Sequence, residues 1–181
     1  MLSFLRERIA CSRVAEIKPR NRRRLRDKDV ETLAVALQTR FGAQLLSPTE
    51  HVDRAETSEY DVLLVGQHIV ALVLPAAEGA AETIAPSLRL LLRQTPTRSY
   101  VTVDMGAVKF VTNGADVMGP GIVEADLAIR KGDLVWIRDE RNRRPLAVGE
   151  ALFPGPELVK QPGKRVRTFH WVGDRIWSWE G

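Results

Sequence analysis

Arginine and lysine cluster at three places in the sequence, and clustered cationic side chains can bind phosphate or another oxyanion. The clusters are Arg22-Arg23-Arg24, Arg141-Asn142-Arg143-Arg144, and the group of Lys164, Arg165 and Arg167. Because guanidinium is planar, it donates two parallel hydrogen bonds to an oxyanion. Each cluster is therefore a candidate phosphate contact. GC-rich coding or growth at high temperature would also explain why only six of the 27 basic residues are lysine.

The sequence offers no set of side chains that would catalyse a reaction or hold a metal ion. The three histidines are scattered along the chain, at His51, His68 and His170. One cysteine, Cys11, permits neither an internal disulfide framework nor a cysteine zinc site. Glu59 and Asp61 lie close together, but no nucleophile accompanies them. We therefore predict a protein that is not an enzyme, with no catalytic residues, no metal site and no cofactor.

The formal net charge of +4 conceals a strong polarity along the chain. Residues 1–28 hold ten basic and three acidic residues, net +7, whereas residues 29–85 hold two basic and nine acidic residues, net −7. The basic segment favours phosphate contact at Arg22-Arg23-Arg24 over a merely solvated loop. Asp139 and Glu140 beside the second cluster instead favour a solvated tip there.

Composition indicates a folded globular protein of one or two domains, with 44% hydrophobic and 28% charged residues in 181. No apolar run approaches the roughly 20 residues of a membrane span. Met1 to Arg8 mixes apolar with charged residues and lacks the apolar core of a signal peptide. We therefore expect no membrane association and a cytoplasmic location.

The first half of the chain alternates weak strand and strong helix patterns. Residues 12–18 predict a weak strand, and Arg20–Arg24 an exposed loop. Asp27 or Asp29 is expected to cap a helix that Gly42 ends. Its apolar stripe recurs at helical spacing, at Val30, Leu33, Ala34, Leu37 and Phe41.

A hairpin and a second helix follow. Residues 62–65 and 69–74 are apolar runs on either side of Gly66-Gln67-His68, which predicts a β-hairpin. Residues 76–85 are small and polar and predict a connection. Pro86 is expected in the first turn of a helix whose buried face is formed by Leu88, Leu91 and Leu92.

The second half has short strands at close spacing around one short helix, which predicts a small, partly open barrel. The helix spans residues 106–113, and the segment 138–144 is expected to form a polar hairpin tip. The predicted strands cover residues 100–103, 134–137, 146–149, 166–171 and 175–179. Four tryptophans could stack on bases, but core packing is the favoured role for Trp136, Trp171, Trp177 and Trp179.

The most specific pattern runs from Val103 to Ile122 and has the form V-D-x-G-A-x-x-x-V-x-x-G-A-x-V-x-x-P-G-I. Asp104 is expected to cap the short helix. Gly106-Ala107 is expected to permit a tight turn in which a larger side chain would clash. Gly114 is expected to end the helix in the left-handed conformation.

This pattern resembles the PUA domain, named for pseudouridine synthases and archaeosine transglycosylases, over about residues 99–181. The whole chain is similar to the malignant T-cell-amplified protein family and its small archaeal relatives, which pair a pre-PUA domain with a PUA domain. The resemblance implies an α+β fold. An N-terminal α/β pre-PUA domain over residues 1–95 would precede a PUA β-pseudo-barrel with a short helix over residues 96–181.

The resemblance implies an RNA-binding surface on the short helix, on the loop and strand after it, and on the last strands. Those positions are Gly106, Ala107, Lys109, Thr112, Gly114, Met118, Gly121, Lys164, Arg165 and Arg167. The first basic cluster, Arg22 to Arg24, is added to them. Each glycine taken singly also fits a purely structural role. Recognition is expected to rest on shape and backbone, because an A-form major groove is too narrow to read.

The leading hypothesis is a non-catalytic protein that binds structured RNA, tRNA or rRNA, in translation initiation or ribosome and tRNA handling. The family resemblance implies the ribosome and a translation-factor partner. One alternative is an accessory subunit of an RNA-modification enzyme, which a catalytic carboxylate in a pocket on the RNA surface would favour. Another is a protein-interaction adaptor that docks through the acidic residues 29–85.

Overall fold

The structure, a computed structural model, describes residues 17–58, 60–74 and 82–179. The first part of the chain forms a five-stranded antiparallel sheet in the order β1-β2-β3-β4-β5. Its strands are β1 (Arg20–Arg24), β2 (Val52–Glu56), β3 (Asp61–Val65), β4 (His68–Leu74) and β5 (Thr83–Pro86). Helix α1 (Asp27–Phe41) connects β1 to β2, and the short helix α2 (Leu88–Leu91) follows β5.

The second part of the chain forms a six-stranded sheet in the order β7-β11-β10-β9-β6-β8. Its strands are β6 (Tyr100–Val103), β7 (Val117–Met118), β8 (Ile122–Ala125), β9 (Leu134–Asp139), β10 (Pro145–Ala151) and β11 (Lys164–Trp171). Helix α3 (Met105–Val111) lies between β6 and β7. All neighbouring strands are antiparallel except β6 and β9, which are parallel.

The second sheet is nearly closed into a barrel. Strands β7 and β8 lie at its opposite edges, yet only the 3₁₀ turn Gly119–Gly121 separates them in the chain. Three residues span at most about 10 Å, so the two edges must lie close together. The fold is thus α+β, with short helices beside a partly open barrel, as the sequence predicts.

Helix α1 forms where the apolar stripe predicts it, and Val30, Leu33, Ala34, Leu37 and Phe41 are its buried residues. Gly42 ends the helix with φ of 70°, in the left-handed region. The predicted aspartate cap is wrong. Arg26 occupies the N-cap without a side-chain cap hydrogen bond, and Asp29 instead pairs with Arg26. The apolar stripe, rather than a cap, therefore determines this helix.

Four other element predictions in the described part of the chain need correction. Arg20–Arg24 is an edge strand rather than a loop, and Thr83–Pro86 is a strand rather than a connection. Helix α2 begins at Leu88, after an N-cap at Ser87, so Pro86 ends β5 instead of opening the helix. Residues 175–179 form turns, not a strand. Leu92, expected to be buried, is half exposed.

Several other predictions lie outside the described residues, wholly or in part, among them residues 76–81 of the predicted connection. The weak strand predicted over residues 12–18 falls mostly there, and residues 17 and 18 belong to no strand. Cys11 and Glu59 also fall outside. Among the described residues, no helix is long and apolar enough to cross a bilayer.

One apolar core joins the two sheets. The cluster around α1 and the first sheet also contains Leu134, Trp136, Val148 and Ile176 from the second part of the chain. A second cluster fills the barrel. Trp136 is fully buried and donates its indole N–H to the Arg98 carbonyl at 2.8 Å, so it serves packing. The domain boundary between residues 95 and 96 stays a prediction.

A buried histidine links the two parts of the chain. His170 on β11 is fully buried, and its Nε2 accepts the backbone N–H of Leu88 at 3.0 Å. The ring proton therefore lies on Nδ1, 2.6 Å from Asp174 Oδ2. The Asp174 carboxylate also accepts the amides of Trp171 and Trp177. Strand β11, α2 and the last turn are thus held by one hydrogen-bond network.

We expect His170→Phe to destabilise the protein by about 1–3 kcal/mol, because the buried Leu88 amide would lose its acceptor. Thermal unfolding would show this as a Tm lowered by roughly 2–4 °C per kcal/mol. His68→Phe, at an exposed histidine of β4, is the control and should change the Tm little. A His170 variant as stable as the control would contradict a stabilising link.

Candidate nucleic-acid interface

Asp104 and Gly114 shape helix α3 and its end as the sequence predicts. Asp104 Oδ1 accepts the amide of Ala107 at 2.8 Å and caps the helix. After the C-cap Thr112, Gly114 has φ of 78° and lies against the Trp171 ring, 2.6 Å from where a Cβ would be. Gly114 is thus required by backbone conformation and packing. The Thr112 hydroxyl donates to the Val108 carbonyl at 3.0 Å.

An open groove of about 450 Å³ lies between α3 and the segment 115–121. Most of its lining is apolar or glycine. The residues that matter here are Gly106, Ala107, Phe110, Met118, Pro120 and Gly121. The structure therefore brings four of the predicted site residues, Gly106, Ala107, Met118 and Gly121, to one surface, and exposed Lys109 follows three positions after Gly106 on α3. Gly121 packs closely, since a Cβ there would lie 3.0 Å from Ala107 Cβ.

Three apolar side chains of this surface are left in solvent. Phe110 is 65% exposed, Met118 is 49% exposed, and Met105 is also exposed. Two of them, Phe110 and Met118, line the groove itself. A group of exposed large apolar side chains around a concave surface is typical of a binding site, whereas scattered ones need no explanation.

The tight-turn prediction for Gly106 is wrong. Gly106 is exposed, and a Cβ there would meet only the Asp104 carboxylate, at 3.3 Å. Neither φ nor packing requires glycine at this helix position. The absence of a side chain at Gly106 instead leaves the rim of the groove low, where a ligand backbone can approach.

Lysines border the groove. Lys109 on α3 is exposed and forms no ion pair with any described residue. Lys160 Nζ lies 3.0 Å from the Pro120 carbonyl oxygen and 4.0 Å from Asp104 Oδ2. Lys164 pairs with Asp116 at 2.6 Å. Lys160, beside the lining residues Pro120 and Asp104, and the exposed Lys109 of α3 are thus the candidate cations for an anionic ligand.

The two predicted arginines of β11 are already engaged by neighbouring groups. The Arg165 guanidinium lies over the Phe153 ring at 4.0 Å and donates to the Pro162 carbonyl at 2.6 Å. Arg167 lies 3.6 Å from Glu150. Burial raises the pKa of Glu150, and the Arg167 charge opposes that rise. Both arginines support the barrel, and their RNA contact stays a prediction.

Arg22, Arg23 and Arg24 lie on β1 of the first sheet, not at the groove. Arg22 and Arg24 both bind Asp53, and Arg23 pairs with Glu56 at 3.2 Å. Burial acts to raise the pKa of Asp53, but hydrogen bonds from Arg24 and Arg22 outweigh it and hold that pKa below its usual value. Carboxylates on the same surface offset the charge of these arginines. Their role in RNA binding stays a prediction.

Two carboxylates line the groove, Asp104 and Asp116. A carboxylate facing the RNA surface would favour the alternative of a modification enzyme. Asp104, however, caps α3, and Asp116 accepts the Thr168 amide at 3.1 Å besides pairing with Lys164. Both carboxylates have structural partners. In the described part of the chain, no group of histidine, cysteine and acidic side chains is arranged to hold a metal ion.

Sequence reasoning missed Phe110 and Lys160. A signal for Phe110 is present: in the seven residues of α3, apolar side chains occur at Met105, Val108, Phe110 and Val111. One buried face cannot hold them all, and only Val111 is fully buried. The sequence around Lys160 does not indicate a place at the groove, because Lys160 meets Pro120 across 40 residues of chain.

These features, a glycine-punctuated helix on a partly open barrel, define a PUA domain, and the sequence model of the PUA domain matches residues 99–171. An uncharacterized protein of Methanocaldococcus jannaschii is 37% identical over 165 residues, which cover 90% of this chain and 98% of that protein. A hypothetical protein of Pyrococcus horikoshii has a crystal structure with a TM-score of 0.72 and 34% identity, covering 86% of this chain and 97% of that one.

Eukaryotic relatives match over about half of their length. Translation machinery-associated protein 20 of Saccharomyces cerevisiae is 34% identical over 105 residues, which are 54% of this chain and 58% of that protein. The malignant T-cell-amplified sequence 1 homolog of Drosophila melanogaster is 34% identical over 97 residues, 51% of this chain and 53% of that protein. The chain belongs to the family of PUA-domain proteins that includes these archaeal proteins and the malignant T-cell-amplified sequence proteins.

Proposed function

We propose that this protein binds structured RNA, tRNA or rRNA, through the α3 groove, and that it does so in translation or ribosome and tRNA handling without catalysing a reaction. One observation carries the proposal: the groove is open and its exposed lining is apolar, with Lys160 4.0 Å from the lining residue Asp104 and exposed Lys109 one helical turn from Gly106. The PUA domain and the translation-related names of the relatives support the same class of function.

The groove has the features that RNA recognition requires. Phe110 offers an exposed aromatic face on which a base can stack. Gly106 leaves room for sugar and phosphate to approach the start of α3. Lys160 supplies positive charge beside the apolar lining, and Lys109 supplies it on the exposed face of α3. Such an arrangement recognises the shape and backbone of RNA together with an unpaired base or end.

The finer parts of the proposal concern partners. The yeast relative is named for its association with the translation machinery. By analogy we propose that this protein works with the ribosome and with a translation-factor partner. The acidic docking surface of the adaptor hypothesis finds less support, because Asp53, Glu56, Asp61 and Glu82 are all paired with arginines of the first sheet.

Salt-dependent binding to total tRNA tests the proposal. Binding should weaken steeply with added salt, because phosphate contacts release counterions. Lys109→Gln combined with Lys160→Gln should make the slope of log Kobs against log salt shallower by about one per lost contact. Both residues are exposed, so the Tm should change little.

The control is Arg130→Gln combined with Lys131→Gln. It removes the same charge from an exposed turn before β9 that does not line the groove. This control should bind like the wild-type protein. Two results would contradict the proposed interface. One is a wild-type affinity that does not change with salt, and the other is a control whose affinity falls as much as that of the groove variant.

A further inference from the structure

The hairpin tip between β9 and β10, residues 140–144, is held in a fixed conformation by Asp139. Asp139 is 4% exposed, and its carboxylate accepts the backbone amides of Asn142 and of Arg144, the latter at 3.0 Å. Burial acts to raise the pKa of Asp139, but the amides of Asn142, Arg144 and Arg141 outweigh it and hold that pKa below its usual value. The tip therefore carries a preformed backbone.

The two acidic residues beside the tip, Asp139 and Glu140, both accept hydrogen bonds from backbone amides. Asp139 binds the tip from inside, and Glu140 Oε1 accepts the amide of Met105 at 3.0 Å. Neither carboxylate pairs with a guanidinium of the tip. Arg141 and Arg144 are exposed, and neither forms an ion pair with any residue in the described ranges. Arg143 has one distant carboxylate partner, Glu124 at 3.9 Å.

The bonds of Glu140 also place the tip beside the groove. Its backbone N–H donates to the Val103 carbonyl at 3.0 Å, and its side chain binds Met105 at the start of α3. Asp104, between these two residues, lines the groove and approaches Lys160. The hairpin tip and Lys160 thus both lie next to the segment around Asp104.

We propose that Arg141 and Arg144 bind backbone phosphates of the RNA next to the part that occupies the groove. The inference rests on the proposed function, because the groove must hold RNA for its neighbouring phosphates to reach the tip. Guanidinium groups without carboxylate partners bind phosphate bidentately. Their fixed backbone lowers the entropy cost of binding. The tip thereby extends the interface from a single groove to a longer stretch of RNA.

The test is Arg141→Gln combined with Arg144→Gln, measured for binding to total tRNA over a salt series. We expect weaker binding, an unchanged Tm, and a slope of log Kobs against log salt shallower by about 1.5–2 for two lost phosphate contacts. Arg130→Gln with Lys131→Gln removes equal charge from the other end of β9 and should bind like the wild-type protein.

The outcomes separate the tip from the groove. If the tip variant binds like the wild-type protein while the Lys109 and Lys160 variant does not, the tip proposal is wrong and the groove stands. If the affinity of the tip variant for tRNA falls no more than that of the charge-matched control, only net charge matters. The tip proposal is then again wrong. If wild-type protein does not bind RNA, both proposals are wrong.

Discussion

Phe110→Ala should weaken RNA binding by about 5- to 150-fold, because base stacking on an aromatic side chain contributes about 1–3 kcal/mol. Phe110 is 65% exposed, so the fold loses little packing when the ring is removed. The Tm should therefore stay close to that of the wild-type protein. Equilibrium binding to total tRNA at fixed low salt measures the effect, with thermal unfolding of the same samples beside it.

Leu127→Ala is the matched control. Leu127 is 73% exposed, as apolar as Phe110, and lies after β8 outside the groove. If exposed apolar area alone mattered, both substitutions would weaken binding equally. If Phe110→Ala weakens RNA binding and Leu127→Ala does not, the result supports stacking in the groove. An unchanged affinity of the Phe110 variant would contradict it.

Gly119→Ala should destabilise the protein by about 3 kcal/mol or more, the upper range of overpacking effects. A Cβ on Gly119 would lie 1.9 Å from the Gln161 carbonyl oxygen, and no side-chain rotation can relieve a clash with backbone. Thermal unfolding should show a Tm lower by roughly 6–12 °C.

Gly106→Ala, in the same motif, is the counterpart. Its Cβ would meet only the Asp104 carboxylate, and alanine favours a helix over glycine by about 0.5–1 kcal/mol. The Tm should stay the same or rise slightly. A large loss for Gly106→Ala, or none for Gly119→Ala, would contradict the packing described for these glycines.

The sequence predicted correctly those helices and turns whose conformation is determined by residues close together in the chain. Helix α1 follows from its apolar stripe, and the β3–β4 hairpin from two apolar runs around a turn. The end of α3 follows from Gly114, because a left-handed residue there is a property of the backbone itself. In each case the determining residues lie within one element or turn.

Strand β1 could not be predicted in the same way. All five of its residues are exposed, so it has no buried face and no alternation to detect. It is stabilised by pairing with β2, where Asp53 binds two of its arginines from about 30 positions away. Three arginines of the basic segment thus pair with two carboxylates of the acidic segment within one sheet.

The structure confirms the helix and turn that the sequence predicts beside the groove, whereas the role of the predicted site residues stays a prediction. The glycine motif correctly indicated the helix and turn that form the groove, because their conformations require particular residues. The cations that border it depend on tertiary contacts. Arg165 stacks on Phe153, whereas Lys160, not predicted, reaches the groove from a distant loop. Sequence alone does not specify such distances.

The most direct test of the central claim is to map the RNA contact residue by residue. Backbone amide chemical shifts of the ¹⁵N-labelled protein, titrated with total tRNA, measure it. We expect the largest changes on residues 105–121 and on Lys160, and little change in β1 to β5. Changes concentrated on the first sheet, with residues 105–121 unaffected, would contradict it.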